Sequence, residues 1–138
     1  MRKIILIVII SIAFISCNTS KQVANKTFPD TIHSSYVNGT WQLQMLFASE
    51  NKWEKAPYLN INLKESTFTG FNSISGKFIL SESYIAFDKN IISTKMDCSN
   101  NYEKAFLSTL LKVNKFNVSK DELELAQGEI VLMKFKRI

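Results

Sequence analysis

The chain contains few of the residues that build metal centres and nucleophilic active sites. Among its 138 residues are one histidine, His33, and two cysteines, Cys17 and Cys98. A zinc site takes three or four such ligands at suitable spacing, and the carboxylates here are dispersed. No serine lies in a nucleophile-elbow pattern, and no glycine-rich loop fits a phosphate. We therefore expect no metal and no cofactor, and we do not expect an enzyme.

Long apolar runs are scarce as well, and the one at the start is short. Arg2 and Lys3 give a positive beginning, and residues 4–15 are then apolar except for Ser11. This stretch is shorter than the roughly 20 residues of a membrane-spanning helix. A positive start, a short apolar stretch and a small residue before the cleavage point are typical of a signal peptide, here residues 1–16.

Cys17 indicates which kind of signal peptide this is. Phe14 to Cys17 read Phe-Ile-Ser-Cys and resemble a bacterial lipobox, with Phe14 where leucine is usual. The resemblance implies that Cys17 is acylated and becomes the mature N-terminus, since several acyl chains anchor a protein stably. An ordinary secretory signal that ends near a cysteine is the alternative. Asn18 replaces the aspartate of inner-membrane retention, which favours the outer membrane with the domain facing the periplasm.

Residues 17–37 are predicted to be the lipidated cysteine and a polar tether. They show neither helical nor alternating apolar spacing, so we expect a flexible segment with a reach of roughly 25 Å. His33 lies in this segment and is expected to be solvated. The formal net charge is +5, but an envelope location argues against a nucleic-acid partner. Lys134, Lys136 and Arg137 form either a small basic patch or, in our preferred interpretation, a solvated strand face.

Residues 38–138 are predicted to form one mainly β domain. Asn38 and Gly39 give a turn signal, and Trp41, Leu43 and Met45 then alternate with polar residues as in a half-buried strand. Short strands at regular spacing are typical of antiparallel sandwiches and barrels. The predicted strands are 40–45, 59–63, 67–71, 76–80, 84–87, 91–94, 116–118, 123–125 and 130–135.

One segment has helical spacing instead. Its apolar stripe consists of Tyr102, Ala105, Phe106, Leu110 and Val113. Asn100 and Glu103 have the spacing of a capping box at the start, and Lys112 would lie in the last turn, where a cation suits the helix dipole. We therefore predict one amphipathic helix that packs against the sheet.

Six short motifs follow one another through this domain. They are Gly39-x-Trp41-x-Leu43; Pro57-x-Leu59; Gly70-Phe71-Asn72 with Gly76 and Phe78; Thr94-x-Met96-Asp97-Cys98; Glu103-x-x-Phe106; and Leu123-x-Leu125. In this order they resemble the META domain family, also called HslJ-like, over residues 38–137. The resemblance implies a small antiparallel β-barrel of lipocalin-like size with one helix, found in bacterial envelope lipoproteins. It also implies no established enzymatic activity, and in some members a link to heat shock or antibiotic tolerance.

Two positions depart from the family pattern. Phe71 stands where the family often has cysteine, and Asp97 stands where it has alanine. A cysteine pair at positions 71 and 98 would suit an oxidising compartment, so we expect Phe71 to lie against Cys98. Gly70 and Gly76 are expected to serve barrel curvature.

Some further residues have more than one interpretation. Cys98 is expected to be a buried apolar residue rather than a reactive thiol, because Asp97 opposes a lowered pKa and no histidine lies near it in the sequence. Asp88, Asp97 and Glu103 could hold a hard cation, but we expect them to be solvated.

Three functions remain open. The first is a non-enzymatic envelope lipoprotein that binds a partner or ligand, with a role in stress. The second is an inhibitor of a periplasmic hydrolase such as lysozyme, with Trp53 in the loop 48–56 as the inserting aromatic anchor; a buried Trp53 would count against it. The third, an enzyme that uses Cys98, ranks last. A small barrel either is filled by side chains or holds one ligand, and the many phenylalanines favour filling.

Overall fold

In the described part of the chain, nine strands and one α-helix follow one another in the predicted order. The computed structural model describes residues 34–49, 51–71, 73–94 and 101–138. A 3-10 helix, Ser34–Val37, precedes the strands β1 (Gly39–Leu46), β2 (Tyr58–Asn62), β3 (Thr67–Gly70), β4 (Ile74–Leu80), β5 (Ile85–Phe87) and β6 (Ile92–Ser93); the helix α1 (Asn101–Leu110) and the strands β7 (Lys115–Val118), β8 (Glu122–Gln127) and β9 (Ile130–Arg137) follow. The predicted strands are confirmed, with ends that differ by a few residues.

The strands form one curled antiparallel sheet. Its order is β5-β4-β3-β2-β1-β9-β8-β7, and the short β6 pairs with β4. Neighbours in the sheet are neighbours in the chain, except that β9 returns to pair with β1 and β6 pairs with β4. The outer strands β5 and β7 lie close to each other. The sheet is therefore a nearly closed barrel, as the family resemblance implies.

The connections between strands fall at two opposite ends of the barrel, because consecutive antiparallel strands run in opposite directions. We call one end the barrel base: it carries residue 34, residue 138 and the turns 63–66, 81–84 and 119–121. We call the other end the barrel top: it carries the loop 47–57, the turn 71–73, the helix α1 and the turn 128–129. Most of the candidate site residues that the structure describes lie at one of these two ends.

Large side chains fill the barrel interior. Trp41, Phe68, Phe106 and Phe135 are each at most 2% exposed, and among the described residues no polar or charged side chain is buried. Strand alternation explains this, since every second residue of a half-buried strand points inward. The packed interior agrees with the expectation of a filled barrel.

Met45 does not take the core position that alternation predicts for it. Gln44 and Met45 together stand opposite Lys134 on β9, which is a β-bulge. The extra residue reverses the alternation of β1, so Leu46 is buried and Met45 is only half-buried.

The domain begins and its helix ends at slightly different residues from those predicted. The 3-10 helix starts at Ser34, and Val37 is completely buried, so the packed region begins before residue 38. The helix α1 ends at Leu110, so the prediction that Lys112 lies in its last turn is wrong. Within the described ranges, no helix has the length and apolarity needed to cross a membrane.

Candidate functional site

The family signature positions divide between the two ends of the barrel. Gly39 and Trp41 lie near the base, Gly70 and Thr94 lie near the top, and Gly76 lies in the wall on β4. The other predicted positions, Asn72, Met96, Asp97, Cys98, Cys17 and His33, are outside the described residues. The described residues form a polar cluster at each end of the barrel.

Trp41 is the centre of the cluster at the base. Its side chain is completely buried, and its Nε1–H donates to the carbonyl oxygen of Val37 at 2.9 Å. The guanidinium carbon of Arg137 lies 4.1 Å from the Trp41 ring centroid, which is a cation–π contact. The ring therefore links the 3-10 helix to the last strand.

Arg137 completes this cluster by binding three carbonyl groups. Its Nε donates to Lys120 at 2.6 Å, its Nη1 donates to Asn38 at 2.9 Å, and its Nη2 donates to Tyr36. The rigid fork of a guanidinium suits such a set of acceptors. We call Arg137 with the Trp41 ring the Arg137 latch, because it joins the first and last segments of the folded domain to the turn 119–121.

The Arg137 latch explains Gly39 and corrects the assignment of Arg137. Gly39 has φ +127°, and a Cβ there would lie 2.7 Å from Nη1 of Arg137. Only glycine meets both conditions. Arg137 points away from the solvated face that Lys134 and Lys136 share, so the prediction that groups these three side chains is wrong for Arg137. Strand alternation after Lys136 is the sequence signal that separates them.

The glycines of the wall and the top lie where neighbouring atoms leave little space for a Cβ. A Cβ on Gly76 would lie 2.8 Å from Cε1 of Phe68, which faces it across the β3–β4 pair. A Cβ on Gly70 would lie 3.2 Å from the Tyr58 carbonyl oxygen and 3.5 Å from the Phe106 ring. The Phe68 ring therefore accounts for Gly76, whereas the tight contact at Gly70 is with the Tyr58 carbonyl oxygen.

Phe71 follows β3 in a left-handed conformation, with φ +53°. Its ring packs edge-on against Phe106 of α1, with centroids 5.2 Å apart. Phe106 in turn lies edge-on to Phe135 at 6.5 Å. These rings attach α1 to the barrel top. The predicted contact between Phe71 and Cys98 lies outside the described residues.

Glu103 is the centre of the polar cluster at the top. Its Oε1 accepts hydrogen bonds from Ser73 Oγ at 2.9 Å and from Ser93 Oγ at 3.3 Å. The amide of Thr94 donates to the Ser73 carbonyl at 3.1 Å. We call Ser73, Ser93 and Glu103 the Glu103 cluster. It joins the turn 71–73, β6 and α1, which are separate motifs in the sequence.

The Glu103 cluster differs from the predictions made for Glu103. The carboxylate is half-buried and hydrogen-bonded, so the expectation of a solvated side chain is wrong; the predicted cap at Asn100 lies outside the described residues. Nowhere in the described part of the chain do three His, Cys, Asp or Glu side chains come together as metal ligands. A carboxylate with two serine hydroxyls therefore acts here as a cross-link between elements.

Trp53 lies in the loop 47–57 at the barrel top. Its side chain is half-buried and packs against the core. The ring is edge-on to Tyr102, with centroids 6.3 Å apart. A ring held in this way is only partly available to a partner.

Ion pairs lie on the outer side of β7, β8 and β9 and the turn between β8 and β9. Lys134 Nζ lies 2.8 Å from Glu124 Oε1, and this hydrogen bond raises the pKa of Lys134. Lys115 Nζ lies 2.7 Å from Glu129 Oε1, which lowers the pKa of the Glu129 carboxyl. Paired charges of this kind agree with a solvated strand face.

Clefts line the outer wall of the barrel. One of about 430 Å³ lies over β3 and β4, with Thr69, Ser75 and Asp88 in its lining. Another of about 290 Å³ lies over β7 and β8, with Asn117 and Glu129 in its lining. Both are lined largely by outward-facing side chains, in contrast to the packed interior.

Comparison with known families assigns the domain. The family model for the META domain matches residues 34–137. The chain belongs to the META domain family, which confirms the resemblance in the sequence. The match begins at Ser34, where the described structure also begins.

Solved structures share the fold at low sequence identity. A protein of the DUF4847 family from Bacteroides vulgatus has a TM-score of 0.54 and 16% identity, and the match covers 77% of this chain and 96% of that one. A protein from Burkholderia xenovorans has a TM-score of 0.54 and 15% identity, with 73% and 82% covered. A further protein, with a structure solved by NMR, has a TM-score of 0.51 and 21% identity, and the match covers 72% of this chain and 89% of that one. No curated protein gives a significant match.

Proposed function

We propose that the chain is a lipid-anchored bacterial envelope protein whose META domain binds a protein partner through its outer surface, without catalysis. The packed interior supports this proposal most strongly. Trp41, Phe68 and Phe106 occupy the space in which a barrel of this size would hold a ligand. Recognition therefore falls to the outer surface.

The anchor rests on the first residues of the chain. The positive start, the short apolar stretch and Cys17 together have the pattern of a lipoprotein signal. A domain that begins to pack at Ser34 leaves 16 residues between Cys17 and the barrel base (34 − 17 − 1). Cys17 would then hold the domain near the membrane that carries the acyl chains, which we expect to be the outer membrane.

The barrel top offers apolar side chains to a partner. Phe47 is 53% exposed and Ile130 is 56% exposed. The Phe47 amide donates to the Leu132 carbonyl at 2.8 Å, which holds the loop against the start of β9. Exposed aromatic and aliphatic side chains on a held loop are suitable anchors for a protein interface.

Inhibition of a periplasmic hydrolase is a narrower form of the same proposal. Its expected anchor, Trp53, is half-buried against the core and Tyr102, which counts against Trp53 as an inserting residue. Phe47 in the same loop is the more exposed of the two. A role in stress follows from the family resemblance alone.

Two measurements test this proposal. Cells that express the protein are labelled with a fatty-acid probe, and we expect labelling of the native chain but not of Cys17→Ala. Equal labelling of both chains would contradict the anchor.

The partner is tested by capture from envelope extracts with the native chain and with surface variants. We expect Phe47→Ser with Ile130→Ser to lose a captured protein that Ile79→Ser retains, because Ile79 is exposed on the wall. Trp53→Ala should retain most of the capture. If Ile79→Ser alone abolished the capture, the interface would lie away from the barrel top.

A further inference from the structure

We infer that the barrel base docks on the uncharged interfacial region of the lipid headgroups beside the anchor, so that the barrel top points away from the membrane. This inference rests on the proposed lipid anchor. It adds a second, non-covalent membrane contact made by the folded domain itself.

The base is the end at which the chain leaves the folded domain toward Cys17. Ser34 begins the 3-10 helix there, and the Arg137 latch fixes that helix through the carbonyl groups of Tyr36 and Asn38. The 16 residues between Cys17 and Ser34 can span at most about 55 Å. A linker of this length holds the base at a local concentration on the order of millimolar near the bilayer.

Exposed side chains at the base have the chemistry of the membrane interface. Tyr36 and Tyr84 are each 42% exposed, and Ile138 is 68% exposed. Tyr36 and Ile138 belong to the same end of the barrel, because the Tyr36 carbonyl accepts from Arg137 and the Ile138 amide donates to the Thr40 carbonyl. Tyrosine has an apolar ring and a polar tip, and is enriched where hydrocarbon meets headgroups.

Charge at the base is balanced. The base carries Lys64, Lys120, Lys136 and Arg137 against Glu65, Glu82, Asp121 and Glu122, four of each sign. The guanidinium of Arg137 also donates hydrogen bonds to three carbonyl groups and makes a cation–π contact with the Trp41 ring. Docking should therefore need neither anionic lipid nor low salt.

The experiment uses the mature chain 17–138 in a Cys98→Ser background, so that Cys17 carries the one thiol. Cys17 is coupled to a maleimide lipid in phosphatidylcholine vesicles, and the control chain has Cys17 capped with N-ethylmaleimide in solution. Hydroxyl-radical oxidation of individual side chains is then read by mass spectrometry. Tyr36, Tyr84 and Ile138 report on the base; Phe47 and Ile130 report on the top.

We expect oxidation of the three base residues to fall about threefold or more on the vesicles, as headgroups cover the tyrosine rings, while the two top residues stay nearly unchanged. Unchanged rates at the base, or an equal fall at both ends, would overturn the inference. The result should persist in about 0.5 M salt, where the Debye length is only a few ångströms. Protection that disappears in salt or requires anionic lipid would contradict docking by uncharged residues.

Paired variants separate docking from simple proximity. In Tyr36→Ser with Tyr84→Ser, protection of Ile138 should disappear; in Phe47→Ser with Ile130→Ser it should remain. Equal protection in both variants would overturn the inference. Because the lipid is attached chemically, this outcome is independent of acylation in cells: failure to acylate Cys17 there would contradict only the proposed function.

Discussion

The two ends of the barrel are closed by contacts of different range and burial. At the base, Arg137 binds carbonyl groups of residues 99 and 101 positions away in the sequence, against the completely buried ring of Trp41. At the top, Glu103 binds serines 10 and 30 positions away, and its side chain is half-buried. The Arg137 latch therefore depends on the complete fold, whereas the Glu103 cluster is assembled from nearer contacts.

This difference predicts which end of the domain is rigid and which end can adapt its shape. Contacts that require the first and last residues of the domain form and break with global unfolding, and partly exposed contacts can open locally at lower free energy. A binding surface benefits from the second kind, since it must adjust to a partner. Under the proposed function, the base would be the rigid attachment and the top would be the adaptable surface.

The largest expected effect compares the two tryptophans. Trp41→Ala empties a completely buried site and should lower the free energy of unfolding by about 3–5 kcal/mol. Trp53→Ala removes a half-buried ring and should cost about 1–2 kcal/mol, because much less apolar area leaves the core. Urea unfolding followed by circular dichroism measures both. Equal losses would show that the two ends are equally important for stability.

Trp41→Phe gives a milder check at the same site. It keeps most of the ring and removes the Nε1–H that donates to Val37. A buried acceptor left without its donor costs about 1–3 kcal/mol. If Trp41→Phe matches the native midpoint, the Trp41 hydrogen bond contributes nothing to the closure of the base.

The second effect comes from Arg137, with its neighbour Lys136 as the matched control. Arg137→Met keeps a long apolar stem but loses three hydrogen bonds to carbonyls, so we expect a loss of about 2 kcal/mol. Lys136→Met changes an exposed side chain and should stay within about 0.5 kcal/mol of the native value. Urea midpoints at equal m-value provide the comparison. Similar losses in both variants would contradict the Arg137 latch.

A smaller effect is expected at the top from Glu103→Gln. The amide keeps the shape and removes the charge that strengthens the bonds from Ser73 and Ser93, which should cost about 1 kcal/mol. Amide hydrogen exchange should rise in α1 and the turn 71–73 and stay unchanged in β1 and β9. Faster exchange in β1 as well would show that the top and the base open together.

The smallest effect concerns the ion pair on the wall. The hydrogen bond from Lys134 to Glu124 raises the pKa of Lys134 above its ordinary value of 10.5. Its contribution is therefore present in full below that value and is lost as the pH rises through the higher folded-state pKa. Glu124→Gln should cost less than about 1 kcal/mol at neutral pH, since exposed pairs are weak.

High pH gives the matching control for the ion pair. The difference between Glu124→Gln and the native chain should shrink above the raised pKa of Lys134. A difference that stays constant with pH would assign the effect to something other than this pair.

Local patterns predict most of the elements, because burial of one strand face leaves alternation in the sequence. Trp41, Leu43 and Leu59 show this pattern and are buried as expected. The bulge at Gln44 has no comparable sign, since an extra residue shows only when β1 is paired with β9. The burial of Val37 was not predicted either, because this residue follows a long polar stretch of the sequence.

For the same reason, the sequence predicts only some of the residues of the candidate site. The family motif identifies Gly39 and Trp41, but Arg137, which contacts both, lies nearly a hundred residues away in the sequence. Its sequence neighbours include the exposed Lys134 and Lys136. Glu103 has the spacing of a capping residue, and its serine partners come from two other elements. Side chains that act across the barrel are determined by tertiary contacts, which a single sequence does not show.

Photo-crosslinking in living cells tests the division between base and top most directly. Benzoylphenylalanine replaces Phe47 at the top in one strain and Tyr84 at the base in another, in the full chain with Cys17 intact. We predict that the Phe47 position forms a crosslink to another protein and that the Tyr84 position forms a crosslink to lipid. A protein crosslink from Tyr84 together with a lipid crosslink from Phe47 would contradict the account.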